Sequence, residues 1–220
     1  MKRTFAIGDL HGCAATFKYM LFEQLKIQKE DVIYCLGDYI DRGPESKGVI
    51  DLIFSLQGED FNIKTLRGNH EEMMMQSVNG LDNFSLWFQN GGNSTLHSFG
   101  VESYSEMHEK YKMFFEQTKF CFETDEFILA HAGLNFNSEN MLQDTYAMLW
   151  ARDFKCPKVL PGNKFLVHGH TPKSLSFILN QTSSCINIDG GCVYKQHKKY
   201  GNLVALHLEE KKYHVVKCLD

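Results

Sequence analysis

Hydrophobic positions follow two rhythms in the first third of the chain. A continuous apolar run at 4–7 has the length of a buried strand and stops at Gly8-Asp9. Phe17, Leu21, Phe22 and Leu25 then recur at helical spacing and predict a helix over about 14–25. The unit repeats. A second run at 31–36 ends at Gly37-Asp38, and Val49, Ile50, Ile53 and Leu56 share one face of a helix over 47–56. A third strand at 61–66 ends at Arg67-Gly68-Asn69-His70. Strand, loop and helix at this rhythm predict parallel β-α-β units. From 71 to 115 the chain is rich in Met, Phe, Asn and Glu and predicts short helices. Strands follow at 119–123 and 126–130, a helix at 139–149, and a strand at 164–167. The stretches 184–188, 202–207 and 213–216 alternate as strands and predict an antiparallel C-terminal sheet. The pattern predicts a mixed α/β sandwich as one domain over 1–220, with a variable, mostly helical segment at about 80–117.

The polar residues are informative through their positions. Asp9 and His11 follow the first strand, Asp38 and Asp41 the second, and Asn69 and His70 the third, while His131 and His168 follow two later ones. In open α/β sheets ligand sites form beyond the carboxyl ends of strands, so these groups are expected to converge. Carboxylates, imidazoles and one amide oxygen, with no thiolate, suit Mn2+, Fe or Zn2+. Two metals need a bridging carboxylate, for which Asp38 is positioned.

Composition narrows the picture little. Hydrophobic residues are 43% and charged residues 23%, as in an ordinary soluble globule. The formal net charge of -4 argues against broad electrostatic capture of nucleic acid or an acidic membrane. The N-terminal apolar stretch is too short for a signal peptide, and no run reaches the roughly 18 residues of a membrane span. Seven cysteines cannot all pair, and none forms a C-x-x-C, so a structural zinc site lacks its usual signature. A reduced, cytoplasmic protein is the expectation.

Five motifs carry a resemblance. Gly8-Asp9-Leu10-His11-Gly12, Gly37-Asp38-Tyr39-Ile40-Asp41-Arg42-Gly43 and Gly68-Asn69-His70-Glu71 resemble the three signatures of the phosphoprotein phosphatase family of metallophosphoesterases. His131-Ala132-Gly133 and His168-Gly169-His170-Thr171 resemble its later motifs, in the same order, so the likeness runs from about 4 to 191. Length and layout are most like small bacterial and phage members. The resemblance implies a metallophosphatase-type β-sandwich of two mixed sheets flanked by helices, with the site at strand C-terminal ends. It implies a protein serine/threonine phosphatase with two divalent metal ions, Mn2+ foremost and Fe or Zn2+ as alternatives. Asp9, His11 and Asp38 would bind the first metal, and Asp38, Asn69, His131 and His168 the second. His70 would be the general acid, Asp41 its partner, and Arg42 a phosphate clamp. Trp150-Ala151-Arg152 resembles a later arginine segment, making Arg152 a second clamp.

The expected substrates are phosphorylated proteins or peptides, with small phosphoesters or dinucleoside polyphosphates as the alternative. Symmetrical diadenosine tetraphosphatases share these motifs, and the aromatics of 84–115 could stack on adenine. A non-catalytic module ranks below both, since no ligand or acid is missing. Neither nucleic acid nor membrane is an expected partner, and no oligomeric state follows. His170 is read as a supporting residue rather than a ligand. The Gly91-Gly92 pair beside Trp87 is read as a helix cap with a packing aromatic, and the Met73-Met74-Met75 run as helix core.

Overall fold

The computed structural model describes residues 2–220. Two sheets stack face to face. The first holds β1 (Thr4–Ile7), β2 (Val32–Cys35), β3 (Asn62–Thr65), β8 (Asn202–His207) and β9 (Lys212–Lys217), in the order β3-β2-β1-β8-β9. The second holds β4 (Cys121–Glu123), β5 (Phe127–Ala130), β6 (Phe165–His168) and β7 (Cys185–Asn187), in chain order. β1, β2 and β3 pair in parallel, as do β5, β6 and β7. β8 and β9 are antiparallel to their neighbours, and so is β4. Both sheets are mixed.

Strand alternation sorts the core into three layers. Phe5 and Ile7 of β1 face outward with Ile33, Cys35 and Ile63. They pack under α1 (Ala14–Tyr19), α2 (Ser46–Gly58) and α6 (Glu109–Gln117), through Phe17, Val49, Ile50, Ile53 and Phe114. Ala6, Val204 and Leu206 face the other way and meet Phe127, Leu129, Val167 and Ile186 between the sheets. Ile128, Ala130 and Leu166 lie on the far face of the second sheet with Met148 of α7 (Thr145–Trp150).

Three features differ from the sequence-based expectation. The first helix is α only to Tyr19, and Met20–Leu25 continues as a wider π-type turn that keeps Met20, Leu21 and Leu25 buried. α7 occupies only the end of the expected 139–149, since Asp144 caps it by accepting from the Ala147 N–H at 2.9 Å. There is also no separate antiparallel C-terminal sheet. A short helix, α8 (Leu175–Asn180), lies between β6 and β7 and provides the crossover that a parallel pair needs. β7 therefore joins the second sheet, and β8 and β9 extend the first.

The variable segment is helical, with α4 (Leu81–Trp87), α5 (Asn93–Phe99) and α6 following α3 (Asn69–Gln76). Cysteine chemistry departs from a fully reduced chain. Cys156, in the loop after α7, forms a disulfide with Cys185 of β7. The odd count forbids complete pairing but not this pair. Among the described residues no helix is long and apolar enough to cross a membrane.

Candidate active site

The loops after β1, β2, β3, β5, β6 and β7 meet at one end of the sandwich. Of the nine non-glycine residues with positive φ among the described residues, five are there: His11, Asp38, Asp41, Arg42 and His170, with φ of 43° to 71°. The left-handed region is unfavourable for such residues, by about 1 kcal/mol or more each, and is kept where the surroundings over-determine it. Here the determinants are buried hydrogen bonds.

Glu71 is one of them. It is fully buried at the start of α3, and its carboxylate accepts from the Asp38 N–H (2.8 Å), the Tyr39 N–H (2.8 Å) and the Gly68 N–H (2.9 Å). Burial first, and Asp38 second, push its carboxyl up to about 8 against those donors. Glu71 thus ties the β2 loop to the β3 loop. Glu71→Gln keeps the shape but turns an amide N–H toward main-chain donors. It is expected to cost roughly 1–3 kcal/mol, read as a lower urea midpoint at unchanged slope.

Asp38 lies between two groups of nitrogens. Its Oδ2 is 3.4 Å from His11 Nε2, and its Oδ1 is 3.5 Å from His131 Nε2 and accepts from the His70 N–H at 3.1 Å. Main-chain carbonyls set the tautomers of both imidazoles. His11 Nδ1 donates to Ile40 O at 2.8 Å and His131 Nδ1 to Leu36 O at 3.0 Å, so each Nε2 presents a lone pair. His131 Nε2 then faces Asn69 Oδ1 at 3.0 Å and His170 Nδ1 at 3.2 Å, and the latter two are 2.8 Å apart. His170 Nδ1 can donate to Asn69 Oδ1, but His131 Nε2, its ring proton being on Nδ1, turns a lone pair to the same oxygen, a repulsion that a cation between them would relieve. Burial keeps the imidazoles neutral, lowering His11 and His131 and taking His170 down to about 3. Burial opposes ionisation of Asp38, yet its carboxyl stays far below the usual range among the His131, His70 and His11 rings. Neutral imidazoles, an ionised carboxylate and an amide oxygen are the donors a divalent cation requires.

Of the sequence-predicted ligands, His11, Asp38, Asn69 and His131 converge, Asp9 lies beside them, and His168 is turned away. His168 ends β6, opposite Asn187, with its side chain on the outer face where Leu166 points. Its ring lies 5.4 Å from that of Phe154, and its Nδ1 is engaged with Gly169 O at 3.3 Å. It therefore stands outside both clusters of potential ligands, His11–Asp38–His70 and Asp38–His131–His170. His170 takes the expected place because its φ of 68° turns the chain back toward the site. Parity carries the signal: Leu129 pairs with Val167, so His131 continues the inward face while His168 continues the outward one. Asp9 stands beside the second cluster, its carboxylate accepting from the His170 N–H at 3.3 and 3.1 Å. A side chain at Gly169 would collide with that carboxylate.

His70 and Asp41 form a buried pair. His70 Nδ1 donates to Asp41 Oδ2 at 2.6 Å. Two residues of the helical segment hold the same carboxylate, Trp87 Nε1 at 3.1 and 3.0 Å and Thr95 Oγ1 at 2.6 Å. Burial pushes the Asp41 carboxyl up, and its bonds to His70 and Thr95 oppose that. Gly91, at φ 112°, lets this segment approach the Arg42 main chain, where an added Cβ would stand 2.8 Å from Arg42 N. The Gly-Gly pair thus serves packing around Trp87 and Arg42.

Arg42 is exposed at the rim, its guanidinium beside His11 Nε2 and 5.7 Å from the Tyr194 ring centre. Arg152 is exposed too, near enough to His131, His170 and Asp189 to perturb all three. Besides Trp87 and Thr95 as supports of Asp41, two residues escaped the sequence reading. Asp189 is buried beyond β7, accepts from the Gly191 N–H at 2.8 Å, and is pushed up to about 7 by burial. Like Asp9 and Asp38 it lies just past a strand end beside a glycine, but with the glycine after it rather than before. Tyr194 had no pattern to reveal it.

The family model for calcineurin-like phosphoesterases matches residues 2–213. Serine/threonine-protein phosphatase 1 of Salmonella typhimurium is 26% identical over 180 residues, 78% of this chain and 79% of its own. The asymmetrical bis(5'-nucleosyl)-tetraphosphatase PrpE of a Geobacillus species is 25% identical over 222 residues, 86% of this chain and 85% of its own. The crystal structure of a candidate diadenosine tetraphosphatase superposes over 100% of this chain and 95% of its own, with a TM-score of 0.65 at 17% identity, a likeness of fold. Strand order, motif order and the convergence of Asp38, Asn69 and His131 all agree with the match over nearly the whole chain, and the protein belongs to the calcineurin-like phosphoesterase family.

Proposed function

We propose that the protein is a binuclear metal-dependent serine/threonine protein phosphatase, with His70 as general acid. Asp9, His11 and Asp38 would hold one cation, and Asp38, Asn69, His131 and His170 the other, with His170 in place of His168. Mn2+ is the preferred ion. When bound, the two cations supply positive charge to phosphate oxygens and an activated water as nucleophile.

The observation that carries this reading is the buried His70–Asp41 pair at 2.6 Å with its Trp87 and Thr95 supports. A serine or threonine alkoxide leaves poorly without a proton, and a carboxylate at Nδ1 orients the ring so that Nε2 can deliver one. This pair suits a phosphomonoester, and because symmetrical diadenosine tetraphosphatases share the same motifs, the choice of substrate rests on the comparison of rates below. Arg42 and Arg152 both stand near the cluster, and a planar fork suits the equatorial oxygens of phosphate.

A second reading has its own observation. Phe136, Tyr146, Trp150 and Phe154 line a hollow of about 360 Å³ next to Arg152, and Tyr146 is 75% exposed. Such a wall could stack a base and would suit a dinucleoside polyphosphate. Comparing kcat/KM on a phosphoserine peptide and on diadenosine tetraphosphate separates the two. The proposal expects the phosphopeptide to be preferred, and a preference for the dinucleotide would replace it with the second reading. On either substrate, chelator is expected to abolish turnover and Mn2+ to restore it.

A further inference from the structure

Cys13, Cys192 and Cys218 are remote in sequence and meet in space. Their sulfurs all lie within 4.8 Å of one another, and those of Cys13 and Cys218 are 3.9 Å apart. Cys13 and Cys192 are buried and Cys218 is half-buried. Each comes from a different segment. Cys13 precedes α1, just beyond the His11 loop, Cys192 follows Asp189-Gly190-Gly191, and Cys218 follows β9.

Bonds that do not involve sulfur hold these segments in place. The Cys13 N–H donates to Leu10 O at 3.0 Å, and the Cys218 N–H to Gly201 O at 2.8 Å. Beyond Cys218 the chain folds onto the start of α1. The Leu219 N–H donates to Thr16 Oγ1 at 2.8 Å, and the Asp220 carboxylate accepts from the Ala15 and Thr16 N–H groups, each at 3.0 Å. The sulfur triangle is therefore preformed. Three thiolates about one zinc, each at about 2.3 Å in a tetrahedron, stand roughly 3.8 Å apart, so the observed spacing needs only small side-chain rotations.

We propose that Cys13, Cys192 and Cys218 form a second metal site for a thiophilic cation, Zn2+, distinct in donor chemistry from the Asp/His cluster. Thiolates select Zn2+ over Mn2+, whereas carboxylate and amide oxygens suit Mn2+, so the two sites sort two kinds of ion. Binding releases the thiol protons to solvent. The Asp220 main-chain oxygen, 4.0 Å from Cys218 Sγ, or a water completes the coordination. A cation here joins the loops of His11 and Asp189 to the segment after β9. The site has no short-range sequence signature because its ligands come from three distant segments.

Co2+ titrated into the full-length chain, with the Cys156–Cys185 disulfide intact and the other thiols reduced, tests this. Sulfur-to-cobalt charge-transfer absorption is expected, and the nitrogen and oxygen donors of the Asp/His cluster cannot produce it. Zn2+ is expected to bleach the band. Cys218→Ser, at the half-buried position, is expected to abolish it, and Cys192→Ser gives the same reading if Cys218→Ser does not fold. Cys121→Ser, elsewhere in the second sheet, is expected to leave it intact. No such band in the reduced protein, or an undiminished band in folded Cys218→Ser, overturns the proposal.

Discussion

His70→Asn is expected to slow hydrolysis of a phosphoserine peptide by about 10²–10⁴-fold, the range a positioned general acid supplies. The same variant is expected to slow p-nitrophenyl phosphate hydrolysis by less than about tenfold, because a nitrophenolate leaves without a proton. The contrast between esters is the diagnostic quantity. His70 is buried, and its ring centre lies 4.8 Å from that of His11, so a purely structural disturbance would reach the metal donors and depress both substrates alike. Equal losses on the two esters would remove His70 from the acid role. Asparagine retains a donor toward Asp41, which otherwise would be left as a buried carboxylate short of one partner.

The second large effect concerns which histidine of His168-Gly169-His170 holds metal. His170→Ala is expected to weaken binding at the second position by more than the roughly 10–100-fold typical of a supporting residue. His168→Ala is expected to leave affinity within about that lower limit of tenfold, since its ring packs on Phe154 away from the donors. Calorimetric titration of the metal-stripped variants with Mn2+ measures both. The opposite ranking would restore His168 as the ligand and make His170 the supporting group.

That pair also marks where sequence reading reached its limit. The three signature loops were legible because each joins a strand to a helix, so an apolar run, a Gly-Asp or Gly-Asn turn and a helical stripe appear together. Asp38 between the two donor groups followed directly from that layout. The choice within His168-Gly169-His170 depended on strand parity and on a left-handed residue at 170, which counting motifs does not weigh. α8 is a single short helix with one buried residue, Ile178, too brief to show a stripe. Without it, β7 read as part of an antiparallel meander. Trp87 and Thr95 were invisible as supports of Asp41, because their contact spans 46 and 54 residues and has no periodicity.

Those two supports tie the His70–Asp41 pair to the helical segment at 80–117. Two of the three side chains that donate to the Asp41 carboxylate belong to 80–117, and the third is His70 itself. The setting of the His70–Asp41 pair is therefore inherited with this segment. A chimera that exchanges the whole segment to import another substrate preference would also rewire the partner of the acid. Grafts that keep Trp87, Gly91, Gly92 and Thr95 and replace only the exposed turns would change the surface while leaving that wiring in place.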